Sequence, residues 1–196
     1  MNPVTLLHKY QELLLQGFQV LAKDPAWPKA CEHFEKLRQN KKNLFLAGNG
    51  GSAANANHLA ADLIYGVNQA GRGTFQVHSL SANPSVLTCL GNDIGYENIF
   101  SHQLFRKASK GDLCFLISAS GNSQNLIRAV EACKSLGLIS IGILGFDGGK
   151  LAKVVDHLVL VETDIGKYGP VEDIHLGICH AVSALVAKEL STRVAK

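Results

Sequence analysis

Apolar residues recur at helical spacing in the first part of the chain, over residues 3–20 and again over residues 30–37. Pro25 and Pro28 separate the two stretches, since proline is tolerated only at the start of a helix. After a polar break at residues 39–42, an apolar run at residues 43–47 ends at a group of glycine and asparagine residues. This pattern predicts two N-terminal helices and then a short buried strand.

The rest of the chain alternates between apolar runs typical of strands and longer stretches with helical spacing. Further strands are predicted at residues 75–80, 112–118, 138–144 and 157–161. Helices are predicted from about Ser52 onwards and at residues 98–107, 126–136 and 171–188. Because this alternation favours crossover connections, we expect a three-layer α/β fold in which helices cover both faces of a parallel sheet.

The composition of the 196 residues suits one globular domain, since 46% are hydrophobic and 18% are charged. The formal net charge is +3 and the charges are scattered, so we expect no nucleic-acid partner. No apolar run reaches the roughly 18 residues of a membrane-spanning helix, and residues 1–10 lack the regions of a signal peptide. We therefore expect a soluble, cytoplasmic protein with no membrane partner.

The cysteines are odd in number and widely spaced, which does not suggest a disulfide framework. We predict that they are reduced core residues, and they are Cys31, Cys89, Cys114, Cys133 and Cys179. Tyr96 and Phe100 are likewise predicted to be apolar anchors.

Two polar turns follow predicted strands and precede predicted helices. The first is Gly48-Asn49-Gly50-Gly51-Ser52, and the second is Ser118-Ala119-Ser120-Gly121-Asn122-Ser123. Backbone N–H groups at a helix start, joined in the second turn by serine hydroxyls, can hold an anion such as a phosphate. The alternatives are an ordinary turn with Ser52 as a helix cap, and capping and solvation by the serines. Neither turn has the glycine spacing of a dinucleotide site or the Gly-Lys-Ser/Thr of an ATP loop.

Histidine and carboxylate side chains are spaced so that they share helix faces. His58 and Asp62 are four residues apart, and Glu172 and His180 are eight residues apart, which is about 80° around a helix axis. These groups can ligate a divalent metal or serve as acid and base, or they can be a surface pair and charges favoured at a helix start. His175 lies about 140° from His180, so at most one of these two should face the site.

Several of these residues fall within spaced motifs. The motifs are AGNGGSAANANHLAADL (47–63), CLGNDIGYENIFSHQL (89–104), ISASGNSQNLIRAVEACKSLG (117–137), GFDGGKLA (145–152) and VEDIHLGICH (171–180). In this order they resemble the bacterial phosphoheptose isomerase family of sugar isomerase (SIS) domain proteins. The resemblance implies a single flavodoxin-like SIS domain over residues 1–196, with a five-stranded parallel sheet and with residues 1–40 as a helical oligomerisation segment.

The same resemblance implies a homotetramer with sites at subunit interfaces. It implies a small-molecule sugar phosphate as partner, with conversion of sedoheptulose 7-phosphate to D-glycero-D-manno-heptose 7-phosphate. The product would serve lipopolysaccharide or capsule synthesis. Position by position, it places around the sugar and its phosphate Asn49, Gly51, Ser52, Asp93, Ser118, Ser120 and Ser123. His58 and His180 match histidines that bind Zn²⁺ in some members, and His180 also matches a residue implicated in proton transfer.

The chain departs from the family pattern at positions that matter for catalysis. Asp62 stands where the family has its catalytic glutamate, and Glu172 stands where it has a glutamine ligand. Ala119 replaces a threonine usual in the serine turn, and residues 163–170 lack the arginine that commonly precedes the glutamine. These changes suggest either a changed substrate, an impaired catalyst, or two changes that compensate each other.

The leading hypothesis is an aldose–ketose isomerase of a phosphorylated sugar that works through a cis-enediol. Asp62 or Glu172 would move the carbon-bound proton, and His180 would shuttle a proton between the oxygens. One Zn²⁺ per site, held by His58, Asp62, Glu172 and His180, would stabilise developing negative charge. The alternatives are a non-catalytic regulator that binds sugar phosphate and an isomerase of a different sugar phosphate.

Overall fold

The computed structural model describes residues 2–69 and 76–194 of the chain. Two helices come first, α1 (Pro3–Leu21) and α2 (Ala26–Gln39). Asn2 caps α1 by accepting a hydrogen bond from the N–H of Val4, at 2.9 Å. Pro28 lies in the first turn of α2, where its missing N–H removes no helical hydrogen bond, so α2 begins before the predicted position.

The described residues form one parallel sheet between layers of helices. Its strands are β1 (Leu44–Gly48), β2 (Val77–Ser79), β3 (Leu113–Ser118), β4 (Ile139–Gly145) and β5 (His157–Val161), and they lie in the order β2-β1-β3-β4-β5. Every neighbouring pair is parallel, and β1 pairs with β3 so that Gly48 lies opposite Ile117. The predicted three-layer α/β fold with a five-stranded parallel sheet is confirmed. The predicted start of the second strand lies outside the described residues.

The helices that follow are α3 (Gly51–Gln69), α4 (Pro84–Ile94), α5 (Ser101–Lys107), α6 (Gln124–Leu136) and α7 (Tyr168–Val194). The helix predicted at residues 98–107 is divided, because a 3-10 turn at Tyr96–Asn98 precedes α5. No helix in the described ranges is both long and apolar enough to cross a membrane.

The sequence did not predict α4. Asn83 caps this helix by accepting a hydrogen bond from Val86 N–H at 3.1 Å, and Pro84 occupies its first position. Gly95 ends it with a φ of 90°, a conformation that favours glycine. None of its residues is fully buried, and the residues that pack against the core, Leu87 and Leu90, give only a short apolar stripe for a prediction from periodicity.

Both faces of the sheet are covered, as strand β3 shows. All of its residues are buried, and they alternate between two clusters of apolar side chains. Leu113, Phe115 and Ile117 pack with residues of α1, α2, α3 and α7, whereas Cys114 and Leu116 pack with residues of α5 and α6. Burial on both faces explains why the central strands β1, β3 and β4 are nearly continuous apolar runs in the sequence.

The cysteines divide between the core and the surface. Cys114, Cys133 and Cys179 are buried and have free thiols, as predicted. Cys31 is half-buried and Cys89 is exposed on α4, so the prediction that all are core residues was wrong for these two. Cys89 is exposed because α4 lies on the surface rather than beneath another layer.

The strand order creates a crevice at one edge of the sheet. β1 and β3 are neighbours, yet α3 after β1 packs on one face and α6 after β3 packs on the other. The turns at the carboxyl ends of β1 and β3 therefore open away from each other, and such switch points are where open parallel sheets bind ligands. Both turns singled out in the sequence lie here.

Candidate active site

The two turns are joined by a reciprocal pair of amide side chains. Asn49 donates to Asn125 at 2.9 Å, and Asn125 donates back to Asn49 at 2.9 Å. The Tyr96 hydroxyl donates to the Asn49 oxygen at 2.9 Å. Asn125 is buried at the start of α6, so this pair holds the glycine turn (residues 48–52) and the serine turn (residues 118–123) in one arrangement.

The serine turn offers hydroxyl groups rather than basic side chains. Ser118 accepts from Gly121 N–H at 3.0 Å, and Ser120 accepts from Asn122 N–H at 3.3 Å, which leaves the hydroxyl protons of both free to donate. Ser123 occupies the cap position of α6, yet its side chain makes no capping hydrogen bond. The capping interpretation of this serine was therefore wrong, and its hydroxyl remains available beside the positive end of α6.

A second segment supports the serine turn from outside. The N–H of Leu151 donates to the Gly121 carbonyl at 2.9 Å, and the N–H of Lys150 donates to the Asn122 side chain at 3.1 Å. Gly121 has a φ of +62°, and a Cβ there would collide with the carbonyl of Gly148. The motif at residues 145–152 thus packs against the serine turn and fixes its shape.

The two turns and the start of α7 enclose a cavity of about 230 Å³. It is lined by Asn49, Ser52, Ile117, Ser118, Ala119, Ser120, Ser123, Tyr168 and Glu172. Ser52 is buried and is the second residue of α3, which begins at Gly51, so it lines the cavity instead of capping the helix. A neighbouring cavity of about 660 Å³ shares Asn49 and Ser123.

Glu172 reaches the glycine turn from the other end of the chain. A Cβ built on Gly51 would collide with the carboxylate of Glu172, so the missing side chain makes room for that acid. The Asn55 amide donates to the backbone carbonyl of Glu172 at 2.9 Å and ties α3 to α7. The carboxylate of Glu172 therefore lies beside the glycine and serine turns, in the same cavity.

The histidines lie together on the paired helices α3 and α7. Nε2 of His58 lies 2.8 Å from Nε2 of His180 and 3.5 Å from Oδ2 of Asp62. One ligand atom from each of these residues lies within 4.8 Å of the others, with both histidines exposed and Asp62 half-buried. The structure thus brings together residues that are more than a hundred positions apart.

This donor set fits a divalent metal with a preference for nitrogen and oxygen ligands, such as Zn²⁺. Two imidazole nitrogens and one carboxylate oxygen leave a position open for substrate or water, as catalytic zinc sites do. Glu172, which was also predicted as a ligand, is outside this group of converging atoms. Glu172 lines the cavity of about 230 Å³ between the two turns instead.

His175 lies on the opposite side of α7 from this cluster. It is completely buried, and neither ring nitrogen has a hydrogen-bond partner. Burial lowers its pKa from 6.5 to about 4, although the nearby backbone of Leu144 opposes the shift. The expectation that at most one of His175 and His180 faces the site is confirmed, since only His180 joins the cluster.

Asp173, next to Glu172, is bound to the N-terminal helix. The Tyr10 hydroxyl donates to Oδ2 of Asp173 at 2.6 Å. Burial, this hydrogen bond and the charges of Asp173 and Glu172 together raise the pKa of Tyr10 to about 12. The phenol therefore stays neutral and acts as a donor.

Asp93 does not meet the other predicted sugar-binding residues. It is exposed at the end of α4, where it accepts hydrogen bonds from Cys89 and Asn92, and neither described cavity includes it. Sequence reasoning also missed the polar role of Tyr96, whose ring is exposed and whose hydroxyl reaches Asn49. The signal for this role in the sequence was the position of Tyr96 directly after Gly95, where a helix ends and a side chain can turn towards a neighbouring loop.

Comparison with known proteins identifies the family of this chain. A sequence model of the SIS domain family matches residues 14–145. The phosphoheptose isomerase of Aneurinibacillus thermoaerophilus is 39% identical over 79% of this chain and 77% of its own length. That of Geotalea daltonii is 37% identical over 94% and 93%.

Solved structures agree at the level of the whole chain. The structure of the phosphoheptose isomerase from Neisseria gonorrhoeae is 28% identical, with a TM-score of 0.84, and the match covers 94% of this chain and 96% of that one. The family model matches more than half of the chain, and the two named relatives match 79% and 94% of it. The chain belongs to the phosphoheptose isomerase family of SIS-domain proteins.

Proposed function

We propose that the protein is an aldose–ketose isomerase that converts sedoheptulose 7-phosphate to D-glycero-D-manno-heptose 7-phosphate. One observation carries this proposal: the hydroxyls of the serine turn and the carboxylate of Glu172 line the same cavity. A site that holds a phosphate beside a potential base is what isomerisation of a sugar phosphate requires. The names of the relatives support the same substrate.

The phosphate is held by neutral donors in this proposal. Ser118, Ser120 and Ser123 donate their hydroxyl protons to its oxygens, and the start of α6 supplies a favourable electrostatic potential. Asn49 and Ser52 then lie where sugar hydroxyls extend from the phosphate, and Gly51, which has no side chain, lets the Glu172 carboxylate lie beside them. Asp93 remains a predicted sugar contact, and in this chain it would need a conformational change or a neighbouring subunit.

The proton transfer is assigned to the carboxylate that lines the cavity. Glu172 takes the proton from the carbon next to the carbonyl and returns it to the neighbouring carbon, while His180 moves a proton between the two oxygens. Asp62 is the alternative base, although its carboxylate lies with the histidines. The net change is the exchange of a carbonyl and a hydroxyl between adjacent carbons.

His58, Asp62 and His180 would hold a Zn²⁺ ion, with Glu172 the predicted fourth ligand. When bound, the ion supplies a Lewis acid that stabilises negative charge on the sugar oxygens. If all four side chains bound the metal tightly, no carboxylate would be left to act as base. The position of Glu172 outside the converging group supports a division of roles between the two acids.

The surface of α1 supports the proposed homotetramer and the role of residues 1–40 as an oligomerisation segment. Large apolar side chains are exposed along this helix, and they are Val4, Leu6, Leu7, Leu13, Leu15, Phe18 and Val20. His58 and His180 are also exposed, which leaves room for a neighbouring subunit to complete the site. We assign the enzyme to the cytoplasm and to the synthesis of lipopolysaccharide or capsule heptose.

The test is a set of exchanges between the two acids, assayed by NMR with sedoheptulose 7-phosphate. Glu172→Gln and Asp62→Glu each restore the residue type of the family pattern. If Glu172 is the base, Glu172→Gln lowers kcat by about 10²-fold or more, and the double variant regains activity through the longer acid at position 62. The matched control is Glu162→Gln, at an exposed carboxylate in the loop after β5.

Two outcomes would contradict the proposal in different ways. Tight binding of sugar phosphate by the wild type, without any isomer in the product mixture, would instead support a non-catalytic regulator. Turnover of a five- or six-carbon ketose phosphate in preference to the heptose would support an isomerase of another sugar phosphate. Two departures from the family pattern favour an isomerase of another sugar phosphate. Ala119 lines the cavity between the two turns, and so does Tyr168, which belongs to the altered residues 163–170.

A further inference from the structure

We propose that Tyr10 is a positioning residue for this active site. Its hydrogen bond to Asp173 fixes the first turns of α7 and, through them, the carboxylate of Glu172. The inference rests on the proposed function, because it assigns a role to Tyr10 in that reaction. It gives the N-terminal helix a part in catalysis in addition to any part in assembly.

The contact between Tyr10 and α7 is short and connects distant parts of the chain. The hydroxyl lies 2.6 Å from Oδ2 of Asp173, in the range of a strong hydrogen bond to a charged acceptor. The phenol also lies against Gly169, where an added Cβ would be 3.1 Å from the Tyr10 oxygen. Tyr10 thus lies against the backbone of Gly169, three residues before Glu172, and binds the side chain of Asp173, the residue directly after it.

Two apolar contacts between α1 and α7 lie further along both helices. Gly17 leaves the space that the side chain of Ile174 fills, and Gly177 leaves the space that the ring of Phe18 fills. These contacts hold the two helices together without Tyr10. Loss of the Tyr10 hydroxyl should therefore release the first turns of α7 while the packing of the helices persists.

Glu172 is held from two sides by this arrangement. Its backbone carbonyl accepts from Asn55 on α3, and the adjacent Asp173 is bound to Tyr10 on α1. Adjacent helical residues are about 100° apart around the axis, so Asp173 can face α1 while Glu172 faces Gly51. If α7 rotates at its start, the carboxylate of Glu172 moves relative to the glycine and serine turns. A displacement of a reacting group by about 1 Å can lower the rate about a hundredfold.

The test compares full-length Tyr10→Phe, Asp173→Asn and Asp173→Ala with the wild type. We expect Tyr10→Phe and Asp173→Ala each to lower kcat roughly tenfold with KM changed by less than about twofold, since the phosphate turn is untouched. Asp173→Asn keeps an acceptor oxygen for the phenol and should retain most of the activity. The double variant Tyr10→Phe/Asp173→Ala should be no slower than either single variant.

The control is Tyr65→Phe, which removes a hydroxyl from an exposed tyrosine on α3. Urea unfolding of each variant separates positioning from stability. A Tyr10→Phe variant that unfolds at lower urea but keeps its kcat, or one that loses kcat no more than Tyr65→Phe, overturns the inference. A wild type with no isomerase activity overturns the proposed function instead, and faster amide hydrogen exchange at residues 168–173 in Tyr10→Phe would then still support the tether.

Discussion

Acidification should destabilise the protein through His175, and the size of the effect follows from its burial. The imidazole is completely buried without a hydrogen-bond partner, and its pKa falls from 6.5 to about 4. Protonation is therefore disfavoured in the folded state. The stabilisation is fully present above the unfolded pKa and is lost as the pH falls from about 6.5 through about 4.

The magnitude comes from the difference between the two pKa values. Between about pH 7.5 and pH 4.5, the unfolded histidine takes up a proton that the folded one largely does not, which lowers the free energy of unfolding by about 2–3 kcal/mol. His175→Leu replaces the imidazole with an apolar side chain of similar volume that does not titrate. The variant should lose about 2–3 kcal/mol less than the wild type over the same pH range.

Urea unfolding followed by circular dichroism at both pH values measures this difference directly. The other histidines titrate in both proteins, so their contributions cancel in the comparison. Equal losses of stability in the wild type and in His175→Leu would refute the reasoning, because they would mean that His175 is accessible to protons in the folded protein.

Gly121→Ala should destabilise the fold by about 1–3 kcal/mol more than Gly50→Ala in urea unfolding, and equal losses would contradict this prediction. Both glycines have positive φ, but only a Cβ on Gly121 would collide with the Gly148 carbonyl. Cys89 is exposed and should be alkylated in the native protein before the buried thiols, as mass spectrometry would show. The hydrogen bond to Asp93 raises its pKa, so Asp93→Asn should speed that alkylation, and an unchanged rate would argue against this contact.

The fold was predictable because the central strands β1, β3 and β4 are buried on both faces. A strand such as β3, with every residue buried, appears in the sequence as an apolar run whatever its neighbours are. The helix α4 was not predictable in the same way. Its ends are set by the cap at Asn83 and by Gly95, and only Leu87 and Leu90 pack against the core, so its periodic signal is weak.

The site was predictable only in its separate parts. The glycine and serine turns follow strands directly, and neighbouring parallel strands bring such turns to one edge of the sheet. Helix spacing predicted that His58 and Asp62 share a face, and the family resemblance implied that His180 joins them. The contacts of Glu172 with Gly51 and of Tyr10 with Asp173 depend on how α7 docks on α3 and α1, which spacing along the chain does not determine.

The same limit applies to residues whose role depends on a neighbour in space. Tyr96 was predicted to be an apolar anchor, and the structure shows its hydroxyl bound to Asn49. Asn125 was not singled out, although it links the two turns from a buried position. An aromatic ring or an amide in a helical stretch gives no indication in the sequence of which distant polar atom it will meet.

The most direct test of the account is a crystal structure of the protein with sedoheptulose 7-phosphate bound. We expect the phosphorus to lie among the hydroxyls of Ser118, Ser120 and Ser123, with the carbon next to the carbonyl within about 3.5 Å of a carboxylate oxygen of Glu172 or Asp62. A phosphate bound elsewhere, or a reacting carbon out of reach of both carboxylates, would contradict it.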